Sequence, residues 1–187
     1  PNLNINIIES EHNGKAAALN KGLQKVNTDY TITIDGDTIL HPLAIRNIMN
    51  KLTTSNKKTA ATAGCLFVKN AKKSFITKLQ QWDYTLGIFG VKFVQGNYNS
   101  TLVAQGAFSA YKTKIIKEIG GWENCVGEDI FLTWQLLSKG YETNFSKNAI
   151  AYTEVPEKLK DLGKQRKRWA RGMIEAFKNV KVFSSKN

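Results

Sequence analysis

The hydrophobic positions of this chain follow two periods, and the period switches repeatedly along its length. Residues 3–8 alternate apolar and polar like a strand, through Leu3, Ile5 and Ile7. Gly14 then opens a stretch in which Ala16, Ala17, Ala18, Leu19 and Leu23 predict a helix. Tyr30-Thr31-Ile32-Thr33-Ile34 is rich in β-branched residues and predicts a buried strand that ends directly in Asp35-Gly36-Asp37. Pro42 stands where a helix would begin, and Leu43, Ile45, Ile48, Met49 and Leu52 give that helix an apolar face. Residues 60–68 predict a further strand. Residues 72–94 read as helix with Phe75, Leu79, Trp82 and Leu86 on one face. A polar turn is expected over 95–100 and an extended segment over 101–110. A short helix over 112–119 is stopped by Gly120-Gly121. A helix over 129–138 ends at Gly140, an extended segment follows over 141–155, and a long helix runs over 159–178.

Alternating strands and helices predict an α/β layered domain. The character of the chain changes at Pro156. The expected organisation is therefore a core over 1–155 and a basic amphipathic helix over 156–187, both within one domain.

The 187 residues are enough for one domain with a sizeable core. With 42% hydrophobic and 22% charged residues, the composition excludes a disordered chain. The net charge of +12 is unevenly spread: seven lysines and no acid lie between Lys51 and Trp82, and ten Lys/Arg face three acids beyond Pro156. Such surfaces attract phosphates, nucleic acid or anionic lipid, or simply keep a face solvated. No helix-turn-helix, zinc-finger or RNA-recognition pattern accompanies the charge, so no nucleic-acid partner is expected. Cys65 and Cys125 belong to no CxxC pair, and reduced, partly buried thiols are expected. His12 and His41 lack metal-ligand spacing and read as surface or turn residues. No apolar run reaches the ~18 residues of a membrane span. The most apolar stretch, residues 84–94, is shorter and carries Lys92.

Four motifs carry the chemistry. Asp35-Gly36-Asp37 follows a strand, where ligands bind in open α/β sheets. Two carboxylates one residue apart can reach one hard cation such as Mg2+ or Mn2+ when glycine lets the backbone turn, or the same residues can form an Asp-Gly turn that caps a helix. Gly14-Lys15 at a helix start suits a phosphate contact, or is a surface lysine. Gly127-Glu128-Asp129 opens a helix. A carboxylate there can serve as general base towards a hydroxyl, or can simply favour the positive end of the helix dipole. Gln165, Arg168 and Trp169 share one helix face at i, i+3 and i+4. Leu159, Leu162, Trp169, Met173 and Phe177 form an apolar seam into which Arg166 falls, and a buried arginine requires an anion. Trp169 offers a flat ring on which a sugar can stack. Gly106 either admits a substrate closely or packs in a strand.

Taken with Gly106-Ala107-Phe108 and Gly120-Gly121-Trp122, these motifs resemble the processive family 2 glycosyltransferases, the membrane synthases of cellulose, chitin, hyaluronan and poly-N-acetylglucosamine. The resemblance runs from about Leu3 to Phe177, and Gln165-x-x-Arg168-Trp169 is its most specific part. It implies a GT-A-type fold, a mixed sheet flanked by helices, and inverting transfer from a UDP-sugar to a polysaccharide hydroxyl. By resemblance Asp129 is the catalytic base and Asp35 and Asp37 hold the metal. Lys15, Asp35, Gln165, Arg166 and Arg168 contact UDP, and Trp169, Gly106 and Glu128 contact the acceptor. Two further strand–helix units carrying a uracil-binding aspartate are expected before Leu3, so the fold is expected to lack its first units and the isolated chain to be incomplete as a catalyst. Flanking membrane helices and a position on the cytoplasmic face of the cell membrane are also implied. The sequence around Lys164–Gly172 is closest to the poly-N-acetylglucosamine synthase branch, which makes N-acetylglucosamine the expected sugar and glucose the next. A non-processive relative adding one sugar is the alternative.

Overall fold

The computed structural model describes residues 4–180. Its centre is a five-stranded mixed sheet in the order β1-β4-β3-β5-β2. The strands are β1 (Tyr30–Ile34), β2 (Ile39–Leu40), β3 (Thr59–Val68), β4 (Phe108–Lys112) and β5 (Glu142–Thr153). Only β3 and β5 run parallel; the β1/β4, β4/β3 and β5/β2 pairs are antiparallel. The helices are α1 (Lys15–Lys25), α2 (Ala44–Thr54), α3 (Phe75–Asp83), α4 (Val91–Asn97), α5 (Thr113–Glu118), α6 (Glu128–Ser138) and α7 (Leu159–Asn179), with a π-helical stretch, Tyr84–Gly90, between α3 and α4.

The sheet separates two apolar layers. Leu66, Val68, Phe108, Ala110 and Ala151 point towards α2, where Ala44, Ile48 and Leu52 are fully buried. Tyr111 points the other way, into a layer built from Ala16 and Leu23 of α1, Ile116 of α5, and Leu132 and Leu136 of α6. Phe108 and Tyr111 lie on opposite faces because successive strand residues alternate. The central strand β3 is buried on both faces, which is why it reads as a continuous small and apolar run.

Several sequence expectations are corrected. Residues 4–8 form no strand: no neighbour pairs with them, and Ile5 and Ile7 are exposed, so alternation alone had nothing to close on. Leu3 lies outside the described residues. β1 is an edge strand and only Thr33 is buried, so it is half-buried rather than fully so. The extended segment over 101–110 becomes regular strand only from Phe108. The α3 helix forms, but its inward face is the polar one: Thr77 and Gln80 are buried and bond back to the chain, with Gln80 Nε2 donating to Pro156 O at 2.7 Å. Phe75, Leu79, Trp82 and Leu86 face outward.

Candidate active site

The carboxyl end of β1 delivers the Asp35-Gly36-Asp37 turn beside the segment leading into β4. Ile34 pairs with Phe108, and one residue further Asp35 N–H donates to Ala107 O at 3.2 Å. The turn is closed by Thr38 N–H donating to Asp35 O at 3.0 Å. Because β1 is an edge strand, this turn faces outward instead of into a packed layer.

Three other elements converge on it. The start of α1 brings Lys15, whose Nζ lies 2.5 Å from Asp35 Oδ1 and 3.5 Å from Glu128 Oε1. The start of α6 brings Glu128 and Asp129. The 101–107 loop brings Gly106, whose amide donates to Asp129 Oδ2 at 3.0 Å. The other Asp129 oxygen accepts from Ile130 N–H at 2.8 Å, so the carboxylate is oriented by two backbone amides. A Cβ at Gly106 would stand 2.7 Å from Lys15 Nζ. A side chain at Gly106 would require the flexible end of Lys15 to move away from Asp35.

The electrostatics follow from this crowding. Burial lowers Lys15, but Asp35, Glu128 and Asp129 outweigh it and hold the ammonium above its ordinary value. Burial raises Glu128, and Asp129 beside it adds to the rise, while Lys15 opposes it. A carboxylate held this way accepts a proton more readily than an exposed one.

The long helix α7 docks on the same loop. Gly127 takes a left-handed conformation at φ 79° immediately before α6, and the Gly172 Cα lies 3.0 Å from the point where a Gly127 Cβ would sit. A Cβ on Gly172 would in turn stand 2.7 Å from Val126 O. Two glycines thus let the helix touch the backbone that presents Glu128 and Asp129. This contact replaces the apolar seam read from the sequence. Gly172 and Ala176 are the buried residues of α7, whereas Leu159, Met173 and Phe177 are exposed.

On α7, Arg166 meets an anion from the chain itself: its guanidinium lies 2.5 Å from Asp83 Oδ2. It also stacks on Trp169, with Cζ 4.5 Å from the ring centre. The half-buried Trp169 packs against the α2-side core that includes Tyr84. Tyr84 is pushed up to about 12 by burial; Arg166 opposes the shift, while Asp83 and Asp37 add to it. Asp37, Tyr84, Asp83, Arg166 and Trp169 therefore form one neighbourhood. Gln165 Oε1 is buried and meets no donor. Arg168 is exposed.

Sequence reading did not single out Asp83, Tyr84, Lys92 or Gln105. Lys92 carried the clearest signal, a lone cation inside the most apolar stretch of the chain. By contrast, Asn20 and Gly121-Trp122 prove to be a brace: Asn20 donates to Trp122 O at 2.7 Å and accepts from Trp122 N–H at 2.9 Å. The cysteines are free, and burial pushes Cys65 up to about 12. Among the described residues no helix is long and apolar enough to cross a membrane.

Relatives share this architecture. The family model described as "Glycosyltransferase like family 2" matches residues 1–172. A poly-beta-1,6-N-acetyl-D-glucosamine synthase of Staphylococcus aureus (strain COL) is 32% identical over 168 residues, covering 89% of this chain and 40% of the relative. Its counterpart in Staphylococcus epidermidis is 31% identical over 165 residues, or 88% of this chain and 40% of the relative. The chain thus spans 40% of the length of these curated relatives. Among solved structures, a mannosyltransferase of Pyrobaculum calidifontis, in complex with GDP-Man and Mn2+, superposes with a TM-score of 0.67 at 19% identity, covering 92% of this chain and 46% of its own. A glucosyl-3-phosphoglycerate synthase of Mycobacterium tuberculosis, bound to Mn2+ and UDP, gives a TM-score of 0.52 at 16% identity, covering 87% and 55% respectively. The mixed sheet flanked by helices is part of the GT-A glycosyltransferase fold of these structures, and the chain belongs to the glycosyltransferase family 2.

Proposed function

We propose that this chain carries the transfer chemistry of an inverting, metal-dependent synthase that adds N-acetylglucosamine from UDP-N-acetylglucosamine to a hydroxyl of a growing polysaccharide. The observation that carries the reading is the meeting of Lys15, Asp35, Gly106, Glu128 and Asp129 within hydrogen-bond reach at the end of β1. The choice of sugar and of a polymer product rests on the similarity to the staphylococcal synthases.

Asp35 and Asp37 supply hard carboxylate oxygens from one turn. Among the described residues no cluster of three or more His, Cys, Asp or Glu could hold a metal alone. Two protein ligands with open positions fit an ion shared with a diphosphate. Of Mg2+ and Mn2+, Mn2+ is the ion to test first, since the solved mannosyltransferase holds it. Bound to Asp35 and Asp37, such an ion supplies Lewis acidity that offsets charge on the departing UDP. The Lys15 ammonium already neutralises Asp35 and would add positive charge beside the diphosphate if Asp35 and Asp37 held a divalent ion.

In the reaction, Asp129 accepts the proton of the acceptor hydroxyl. The hydroxyl oxygen bonds to the anomeric carbon from the face opposite UDP, and the bond to the diphosphate oxygen breaks. The two amides on Asp129 hold its oxygens in place for this transfer. Arg168 supplies fixed positive charge to the diphosphate, joined by Arg166 once it leaves Asp83. Gln165 offers a buried, unpartnered carbonyl to a sugar hydroxyl. Trp169 presents an apolar ring to the acceptor, with its other face covered by Arg166. The exposed apolar residues of α3 and α7, flanked by lysines, rest on the cytoplasmic face of the cell membrane and align the site with a polymer path.

Calorimetry of UDP with and without Mn2+, on the full-length protein and its Asp37→Ala variant, tests the site. Metal-dependent binding lost in the variant is expected. Metal-independent binding unaffected by Asp37→Ala overturns the metal assignment.

A further inference from the structure

Lys92 of α4 is 7% exposed, the most buried lysine of the described chain. Among the described residues no carboxylate hydrogen-bonds or ion-pairs with it. Its Nζ donates to Val103 O at 2.6 Å and to Gln105 Oε1. Gln105 Nε2 in turn donates to Gly64 O of β3 at 2.7 Å. A buried ammonium satisfied only by neutral oxygens carries a desolvation cost that a methionine of similar length would avoid.

The loop it grips is the link between the two acidic motifs. Residue 106 gives its amide to Asp129, and residue 107 gives its carbonyl to the Asp35 amide. Lys92 binds residues 103 and 105 from the opposite, buried side of this loop. Further back, Trp134 Nε1 donates to Leu102 O at 3.0 Å, Tyr111 OH donates to Ala104 O at 3.0 Å, and Ala104 N–H donates to Thr133 Oγ1 at 2.9 Å. At residue 105 the backbone carbonyl accepts from Ser109 Oγ at 2.8 Å and from Phe108 N–H at 3.3 Å, both from the β4 side. The Lys92–Gln105–Gly64 chain holds the same residue by its side chain, from the β3 and α4 side.

We propose that Lys92 is a positioning residue for transfer: from beneath the site it fixes the 103–107 segment, so that the Gly106 amide and Ala107 carbonyl keep Asp129 and the Asp35 turn in register. This rests on the reading of Asp129 as the base. Lys92 touches neither donor nor acceptor in this scheme. It acts through Gln105 and Gly106, and its loss is felt at the chemical step.

The test compares Lys92→Met, Gln105→Met and Asp129→Asn in the full-length protein with UDP-N-acetylglucosamine as donor. Turnover, UDP affinity and melting midpoint are measured for each. For Lys92→Met, kcat falls by about 10- to 100-fold, the cost of a misplacement of order 1 Å. UDP affinity stays within about threefold, and the melting midpoint shifts only modestly, because removing a buried amine offsets part of the cost of leaving Val103 O and Gln105 Oε1 without that donor. Gln105→Met cuts the same chain one bond later and gives the same kcat loss; it decides the matter if Lys92→Met does not fold. Wild-type kcat in a folded Lys92→Met, or in Gln105→Met, overturns the proposal. So does a fall in kcat matched by an equal loss of stability and UDP affinity, since that is a general packing defect. Asp129→Asn separates the two readings. If it retains turnover, the base assignment fails; if it is inactive while Lys92→Met is unimpaired, only the role of Lys92 fails.

Discussion

The two sides of the candidate site are built differently. On the β1 side, Lys15, Asp35, Glu128, Gly106 and Asp129 satisfy one another within the fold. On the α3–α7 side, Gln165 Oε1 has no donor, Arg168 is exposed, and Phe75 and Trp82 are 72% and 64% exposed. The Arg166–Asp83 bridge and its stack on Trp169 join α7 to the end of α3, while α3 and the residues just before it are tied to residues 156 and 157 by Gln80, Ser74 and Lys73. A pre-organised cluster suits a step whose charges must be in place before the reactants arrive. An under-satisfied face suits ligands that supply the missing partners themselves, a polymer or a membrane surface. The contrast separates chemistry from guidance within one small domain.

Three perturbations break or sharpen this contrast. The largest concerns the buried support of the chemical side. Burial pushes Lys92 down to about 7, partly offset by Asp129 and Cys65. Between that value and the ordinary 10.5 the unfolded chain holds a proton that the folded chain lacks. The stability contributed by Lys92 is therefore fully present above 10.5 and lost as pH falls towards about 7. The expected slope reaches about 1.4 kcal/mol per pH unit at most. Melting midpoints of the full-length protein from pH 7 to 10 measure it, and Lys92→Met should flatten the slope.

Next is the joint between the two sides. Gly172→Val would drive side-chain atoms into Val126 O and Gly127. Overpacking of this kind costs about 1–3 kcal/mol, and the displaced backbone carries Glu128 and Asp129 with it. Both a lower melting midpoint and loss of turnover are expected. A variant that keeps its activity would show that α7 can dock without this contact.

The smallest effect on stability is expected on the open side. Leu79→Gln with Trp82→Gln removes exposed apolar surface, so stability should shift by less than about 0.5 kcal/mol per site. Retention on anionic lipid vesicles should nevertheless fall. Unchanged vesicle retention would remove this face from any membrane role.

The amount legible in the sequence differs between the same two sides. Gly14-Lys15, Asp35-Gly36-Asp37, Gly106 and Glu128-Asp129 are short motifs at element boundaries, where residue type and local conformation coincide. Each was recognisable, and all converge in space. The 3–8 strand failed because a strand exists only with a partner. The α3 face was misread because periodicity reports that a helix has two faces, not which one turns inward. There the inward positions are Thr77 and Gln80, whose Oγ1–H and Nε2–H donors go to backbone carbonyls.

By itself the sequence determined the alternation of strands and helices, the placement of the acidic and basic motifs at their ends, and the similarity to family 2 glycosyltransferases. These are local matters: propensity, turn chemistry and short spacings act within a few residues. The tertiary structure decided which charges meet. It paired Arg166 with Asp83, 83 residues away, crossed Lys15 over Gly106, and set Lys92 behind the loop that joins the two acidic motifs. Such contacts depend on the order of strands in the sheet and on how closely two glycines let α7 approach, and neither is encoded in any short stretch of the chain.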